Sequence, residues 1–316
     1  MPRVAQGFEA VEEQGPAVET LRFALRSGRV HHAYRFEGPD GVGKEMAALA
    51  LAQSLVCEAP TPEACGRCSA CHRAITLSEQ LPQVPLHPDV VFVSRGLYPA
   101  TTIGASEATT ISVEQVRRIV ISRCGYPPHE GKALVFLVRN ADELSQSAAN
   151  ALLKALEEPP KATYFVLLTS RPNRLPDTVL SRTLRVRFGA LSDALIARIL
   201  SRHNLSTKAA SLAQGSASLA LELATEEPQQ SRAQFVLAAE EALRAKDLGA
   251  AIGLADKRPA ERDQLRAHLS ALAHRFAEEA RESVKSAPDG AELAAKRHQV
   301  VLEAMVAVES NAQPGL

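Results

Sequence analysis

The chain has 316 residues, which is enough for about two domains. Its 36 Lys and Arg balance its 36 Asp and Glu, and this excludes a protein that holds nucleic acid or anionic membrane by bulk charge alone. Hydrophobic residues at 46% exclude a disordered chain. We expect a cytosolic protein without a membrane partner, because residues 1–14 lack a signal-peptide pattern and no apolar run reaches the roughly 18 residues of a span.

Helices and strands alternate through the first 190 residues. Short apolar runs predict strands at 33–36, 90–93, 133–138, 163–169 and 184–188. Helical patterns lie between them at 16–29, 44–57, 112–123 and 145–157. Five strands separated by helices indicate an α/β fold with a parallel sheet covered on both faces. After residue 190 only helical patterns remain, and Glu226-Glu227-Pro228 interrupts them.

A glycine-rich loop joins the first predicted strand to the helix after it. Gly38, Gly41 and Gly43 would let backbone N–H groups converge on phosphate oxygens, and Lys44 would reach the β- and γ-phosphates. The strand, the spacing, the lysine and the helix together favour a phosphate loop over a plain turn. The loop leaves binding of ATP or ADP open.

Two positions depart from what magnesium-dependent hydrolysis needs. A hydroxyl that binds Mg²⁺ normally follows the lysine, but Glu45 stands there. Arg139-Asn140 follows the third strand, where a hydrolytic protein would carry Asp-Glu. Asp142 and Glu143 come three residues too late to substitute. The sequence therefore predicts no intrinsic ATPase activity.

Four of the five cysteines lie within fifteen positions: Cys57, Cys65, Cys68 and Cys71. In a reducing compartment such clustering favours metal over disulfides, and four closely spaced thiolates suit tetrahedral zinc. Four cysteines leave no open position, so the predicted site is structural. His72 is a weaker rival ligand, and Cys124 is predicted to be a separate thiol.

Several segments carry a family pattern: His31-His32-Ala33-Tyr34, the loop 38–44, the cysteine cluster, His87-Pro88-Asp89, the run Asn-Ala-Leu-Leu-Lys-Ala-Leu-Glu-Glu-Pro-Pro at 150–160, and Ser181-Arg182. Together they resemble bacterial clamp-loader AAA+ proteins, with dense similarity over about residues 7–190. The resemblance implies an AAA+ domain over 1–188 with a zinc module at 57–71. It further implies a small helical lid at 189–228 and an all-α collar for oligomerisation at 229–316.

The family contains gamma/tau subunits, which hydrolyse ATP, and delta-prime subunits, which generally do not. A family segment that carries a nucleotide-sensing arginine in the ATPases aligns with 215–218, where Ser218 takes its place. Ser181-Arg182-Thr183 resembles the family's Ser-Arg-Cys motif, whose arginine is offered to ATP on the neighbouring subunit. The resemblance therefore implies that Arg182, with Ser181 beside it, acts in trans as an arginine finger, although an ordinary exposed arginine is the alternative.

The resemblance as a whole implies a non-hydrolysing stator of the DNA polymerase III clamp loader, within a DNA-directed DNA polymerase holoenzyme. Its expected partners are gamma/tau and delta subunits, the sliding clamp, and primer-template DNA within the assembly. The helix that opens at Ser112, with Arg117, Arg118 and Arg123, is the predicted DNA contact. Two alternatives stay open, namely an active gamma/tau-like ATPase with an altered phosphate loop and a zinc-containing nucleic-acid-binding module.

Overall fold

The computed structural model describes residues 7–59, 61–104, 110–130, 132–245, 249, 262–284 and 288–309, so parts of the predicted collar lie outside the described residues. The chain forms two compact units, Met1–Ser192 and Asp193–Leu316. The predicted division of the second unit into lid and collar stays a prediction. The helix Glu226–Ala245 begins two residues before the predicted boundary at 228.

The first unit is built on a five-stranded parallel sheet, which confirms the predicted fold class. Its strands are β1 (Ala33–Glu37), β2 (Val90–Val93), β3 (Leu134–Val138), β4 (Thr163–Thr169) and β5 (Leu184–Arg187). Their order across the sheet is β2-β3-β4-β1-β5, and every neighbouring pair is parallel. The carboxyl ends of all five strands therefore meet at one edge, where the loops that follow them converge.

Helices cover both faces of this sheet. They are α1 (Gly15–Arg26), α2 (Lys44–Val56) and α3 (Ser69–Ile75), followed by Ala100–Ile103, Val113–Gln115 with its continuation to Cys124, Gln146–Glu157 and Asp177–Leu180. Single 3-10 turns lie at Gly7–Ala10, Ala141–Glu143 and Pro172–Arg174. Every position of β3 is buried, as expected for a central strand of a sheet that is covered on both sides.

Helix ends follow the capping chemistry of the sequence. Ser112 and Ser145 are N-caps. Their hydroxyls accept hydrogen bonds from the backbone N–H groups of Gln115 and Ala148, each three residues further along the chain. The helix that begins after Ser112 contains a π-helical turn at Val116–Ile121, which the apolar period did not indicate. Phe136 and Phe165, fully buried and stacked 5.2 Å apart, form the centre of the core beneath this helix and Gln146–Glu157.

The second unit is helical over its described residues. Its helices are Asp193–Arg202, Ala217–Ala224, Glu226–Ala245, Arg262–Ser283 and Pro288–Glu309, with a 3-10 turn at Thr207–Ala209. Ala239, Phe276 and Val301, one from each of the three long helices, belong to one buried cluster. Within the described part of the chain, no helix is both long and apolar enough to span a membrane.

Candidate functional site

The glycine-rich loop lies at the carboxyl edge of the sheet, between β1 and α2. Gly41 and Gly43 adopt φ values of +71° and +99°, and Gly38 lies against the backbone of Phe188 so closely that a Cβ would clash with it. Lys44, the first residue of α2, is 8% exposed and turns back into the loop.

The ammonium of Lys44 is satisfied by its own loop. Its Nζ donates to the carbonyls of Gly38 at 2.6 Å and Pro39 at 2.5 Å, and it lies 3.5 Å from the Asp40 carboxylate. Burial lowers the pKa of Lys44, and the charge of Asp40 opposes that shift. The loop thus has phosphate-loop geometry, and its cation is engaged by acceptors of the same loop.

The two positions that depart from hydrolytic chemistry contact each other. The guanidinium of Arg139, which follows β3, donates through Nη2 to Glu45 Oε1 at the start of α2. The same guanidinium lies 3.9 Å from the centre of the Phe92 ring. An ion pair therefore occupies the position between loop and β3 where a hydroxyl and an aspartate would hold Mg²⁺.

The two acids further along the chain are engaged elsewhere. Asp142 is buried, accepting from Thr169 Oγ1 at 2.7 Å and from Arg171 Nε at 2.9 Å. Glu143 accepts from Arg95 Nε at 2.9 Å. Neither carboxylate therefore lies directly after β3, where an acidic residue would bind Mg²⁺ and where this chain has Arg139.

Arg182 lies just after the short helix Asp177–Leu180 and is about one third exposed. Its Nη1 donates to the carbonyl of Thr178 at 2.9 Å and to Ser181 Oγ at 3.2 Å. Its Nη2 forms an ion pair with Glu157, the last residue of a neighbouring helix. The structure thus brings Ser181 and Arg182 together and adds Glu157 to them.

The segment that carries Arg182 is fastened to the centre of the sheet by Arg35. This side chain is 7% exposed on β1, and its Nη1 donates to the carbonyl of Leu180 at 2.9 Å and to Thr183 Oγ1 at 2.6 Å. Its Nε donates to Glu37 at 2.6 Å, also on β1. The sequence carried a signal for the contact between Arg35 and Glu37: two charged residues spaced by two on a strand lie on the same face.

The four clustered cysteines come together in space. Cys57 follows α2, Cys68 caps α3 and Cys71 lies within α3, while Cys65 lies between the two helices. All four sulfur atoms lie within 4.8 Å of one another, and the pairs Cys57–Cys68 and Cys65–Cys71 are 3.9 Å apart. A tetrahedral zinc with Zn–S bonds of about 2.3 Å requires sulfurs about 3.8 Å apart, so the cluster fits this ion.

Backbone N–H groups donate hydrogen bonds to sulfur atoms of the cluster, which stabilises the thiolate form. The N–H of Cys65 donates to Cys57 Sγ at 3.3 Å, and that of Cys71 donates to Cys68 Sγ at 3.4 Å. Backbone hydrogen bonds from Arg67 and Cys68 lower the pKa of Cys65 to about 6, whereas burial raises the pKa of Cys71. Such a set would hold a structural ion that ties the end of α2 to α3.

Ion pairs fix this cysteine module to the rest of the first unit. Glu63 accepts from Arg22 at 3.1 Å and from Arg26 at 2.7 Å, both on α1. On the other side, Arg73 of α3 pairs with Glu130 at 2.6 Å. His72 does not belong to the four-residue cluster, and Cys124 lies apart from it, half-buried, where burial raises its pKa to about 11.

The remaining predicted positions have other surroundings. Ser218 lies in the helix Ala217–Ala224 of the second unit, where its hydroxyl is 3.1 Å from that of the capping Ser216. Arg123 pairs with buried Asp89 at 2.8 Å, and Arg118 donates to the carbonyl of Thr102. Arg117 is exposed. The predicted DNA contact therefore includes two arginines with internal partners.

Two contacts at this site were missed by sequence reasoning. Glu157 pairs with Arg182, a contact that the run at 150–160 did not indicate. Glu45 and Arg139 were each predicted as a loss, and their mutual contact was not predicted. They are 94 positions apart, and the packing of α2 against both β3 and β4 brings them together.

A phosphate-loop turn and five parallel strands in the order β2-β3-β4-β1-β5 define an α/β domain with its loop site at the carboxyl edge of the sheet. Residues 13–192, more than half of the chain, match the family described as "DNA polymerase III, delta subunit". The chain belongs to this family of clamp-loader proteins.

Curated relatives from both branches are similar to the chain. The DNA polymerase III subunit tau of Escherichia coli is 35% identical over 187 residues, which are 59% of this chain and 26% of tau. The subunit delta' of Bacillus subtilis is 31% identical over 208 residues, covering 63% of this chain and 56% of delta'. The chain thus spans from about a quarter to just over half of these relatives' lengths.

Among solved structures, a DNA polymerase III gamma subunit-related protein of Thermotoga maritima is similar to this chain. The match covers 93% of this chain and 99% of the Thermotoga chain, at 15% identity and a TM-score of 0.45.

Proposed function

We propose that this protein is a non-hydrolysing subunit of a DNA polymerase III clamp loader that lends Arg182 to ATP on a neighbouring subunit. Its partners would be gamma/tau and delta subunits, with the sliding clamp and primer-template DNA reached through the assembly. Family membership supports the clamp-loader part of the proposal. The non-hydrolysing part is argued from the geometry of the phosphate loop.

The ion pair between Glu45 and Arg139 is the observation that carries the proposal. In a magnesium-dependent site, these positions supply a hydroxyl and a carboxylate to the metal. Here a cation and an anion neutralise each other, so the two positions offer Mg²⁺ neither a hydroxyl nor a free carboxylate. A nucleotide could still meet the loop amides, but this chain lacks the metal ligands that activate its γ-phosphate.

Arg182 is the group that this subunit could still contribute. A guanidinium directed at a γ-phosphate stabilises the charge of the transition state and raises the rate by about 10³- to 10⁵-fold. Arg182 is partly exposed, and Arg35 holds its segment to the central strand. A partly exposed cation on a fixed segment suits action on another chain.

The cysteine cluster has a separate, structural part in this proposal. Cys57, Cys65, Cys68 and Cys71 would hold one zinc ion. With all four positions taken by protein ligands, the ion would have no place for water or substrate, so it would cross-link the module without taking part in hydrolysis.

The test is ATP turnover by the isolated chain and by an assembly reconstituted with the partner subunits of the same organism, DNA and clamp. The isolated chain should show no turnover. Arg182→Ala should lower turnover of the assembly by at least about 10³-fold at the site that receives the finger. Arg187→Ala, an exposed arginine on β5, is the matched control and should leave turnover unchanged.

Three results would contradict this proposal. Turnover by the isolated chain would indicate an active gamma/tau-like ATPase. Unchanged assembly turnover with Arg182→Ala would indicate a purely structural subunit. Tight, salt-sensitive DNA binding by the isolated chain would instead favour the nucleic-acid-binding module.

A further inference from the structure

The guanidinium of Arg182 is engaged by acceptors of its own chain. Nη1 donates hydrogen bonds to the Thr178 carbonyl and the Ser181 hydroxyl, and Nη2 forms an ion pair with the Glu157 carboxylate. Among the described residues, its buried Nε finds no hydrogen-bond acceptor. An arginine in this arrangement cannot form a bidentate hydrogen bond with phosphate until at least one of these contacts breaks.

Glu157 is the acceptor of this set that carries a charge, and its place in the fold makes it dependent on a cation. It is the last residue of the helix Gln146–Glu157, where the unpaired carbonyls of the helix end repel an anion. Arg182 offsets this repulsion. The adjacent Glu158 is exposed and forms no ion pair within the described part of the chain, so the contact belongs to one of the two glutamates.

Both sides of the ion pair are held by the fold. The carbonyl of Leu156, next to Glu157, lies 2.9 Å from His32 Nε2 just before β1. On the arginine side, Arg35 of β1 holds Leu180 and Thr183. Because the residues around each partner are anchored to β1, the contact can reform in one geometry after each release.

The contact is nevertheless weak enough to be exchanged. Glu157 is 46% exposed and Arg182 is 32% exposed, so water and salt screen their attraction. Exposed ion pairs shift equilibria by no more than about fivefold. A nucleoside triphosphate presents several negative charges and accepts two parallel hydrogen bonds from a guanidinium, so it would outcompete a single carboxylate.

We propose that Glu157 is a positioning residue that holds Arg182 on its own subunit and releases it to the triphosphate of a neighbouring subunit's nucleotide. This inference rests on the proposed function of Arg182. It assigns to Glu157 a holding contact that competes with the nucleotide. Removing its charge should therefore make Arg182 easier to capture.

The test compares Glu157→Gln with the matched control Glu158→Gln in the assembly reconstituted with the ATP-hydrolysing partner. Glu157→Gln should lower the KM for ATP by about two- to fivefold and leave kcat within about twofold. Raising the ionic strength should shrink this difference, because salt already weakens the wild-type pair. In the Arg182→Ala background, Glu157→Gln should have no effect, since the competition is gone.

The outcomes separate this inference from the function it rests on. If Arg182→Ala lowers turnover while Glu157→Gln behaves like Glu158→Gln, the holding contact is refuted and the finger stands. A fall in kcat at constant KM would also refute it, because Glu157 would then orient Arg182 in the working complex. If Arg182→Ala leaves turnover unchanged, the proposed function itself fails, and the inference fails with it.

Discussion

Arg35 shows how one residue on a central strand can fix a distant loop. Its guanidinium is nearly inaccessible and reaches three acceptors, two on the segment before β5 and one on Glu37. A buried charge is tolerated only when it is paired and hydrogen-bonded, and this arrangement meets both conditions. The segment that bears Arg182 is therefore positioned by Arg35, a side chain that is almost entirely buried.

Arg35→Met should destabilise the protein by about 3 kcal/mol, because it leaves the largely inaccessible carboxylate of Glu37 without its close cation. Urea unfolding of the variant and the wild type measures this loss. Arg187→Met, which changes an exposed arginine of β5, should stay within about 0.5 kcal/mol of wild type. A loss below about 1 kcal/mol for Arg35→Met would show that the pair does not hold the segment.

Sequence reasoning at this scale found single residues more readily than pairs. Glu45 and Arg139 each stand where a motif requires another residue type, so each was visible alone. Their ion pair depends on how α2 packs across the sheet, which places its first turn beside the end of β3. Nothing in the run at 150–160 indicates that Glu157 pairs with Arg182, because the two residues meet only in the folded chain.

At the scale of elements, α3 is a short helix whose start is part of the cysteine cluster. Cys68 is its N-cap, and its sulfur accepts from the N–H of Cys71 one turn later. A helix of seven residues has little stability by itself. We infer that the fold of this segment depends on what binds the four sulfur atoms.

Cys68→Ser should abolish binding of one zinc per chain and loosen the module. Metal analysis of the purified protein should show the loss, and limited proteolysis should cut within 57–75 sooner than in wild type. Chelation of wild type should have the same effect, since a metal bound only by the folded state contributes its binding energy to folding. Cys124→Ser, outside the cluster, should keep both the zinc and the protease resistance. Full zinc content in Cys68→Ser would refute the assignment.

On the scale of the whole molecule, buried histidine links stability to pH. His87 is 2% exposed, and its Nδ1 accepts from the Asp89 N–H at 3.1 Å while Nε2 lies 3.2 Å from Glu130. Burial lowers the pKa of His87, and the charge of Glu130 opposes this shift. The unfolded chain therefore binds a proton more readily than the folded chain, and folding is favoured at the higher pH.

The free energy of unfolding should consequently fall as the pH drops below about 6.5, by at most about 1.4 kcal/mol per pH unit from this one group. Urea titrations at several pH values between neutral and mildly acidic measure the slope. His87→Gln should reduce it, whereas His203→Gln, an exposed histidine of the second unit, should leave it unchanged. Equal slopes in all three proteins would contradict a neutral, buried His87.

The fold of the first unit was largely readable because its signals are local. Runs such as 90–93 and 163–169 match the observed strands end to end, since short apolar segments between polar turns leave little choice. The π-helical turn at Val116–Ile121 and the short helix α3 were not predicted. The first differs from an α-helix by hydrogen-bond register alone, and the second is too short to show a period.

The way Lys44 is satisfied bears on how the protein withstands changes in its surroundings. A phosphate loop whose lysine points at empty solvent gains stability from each bound nucleotide, so its folded fraction follows nucleotide concentration. Here the three hydrogens of the ammonium already meet two carbonyls and a carboxylate of the loop. A phosphate that bound this loop would first have to displace one of these acceptors, so the folded state would gain less stability from a nucleotide than it would if Lys44 were free.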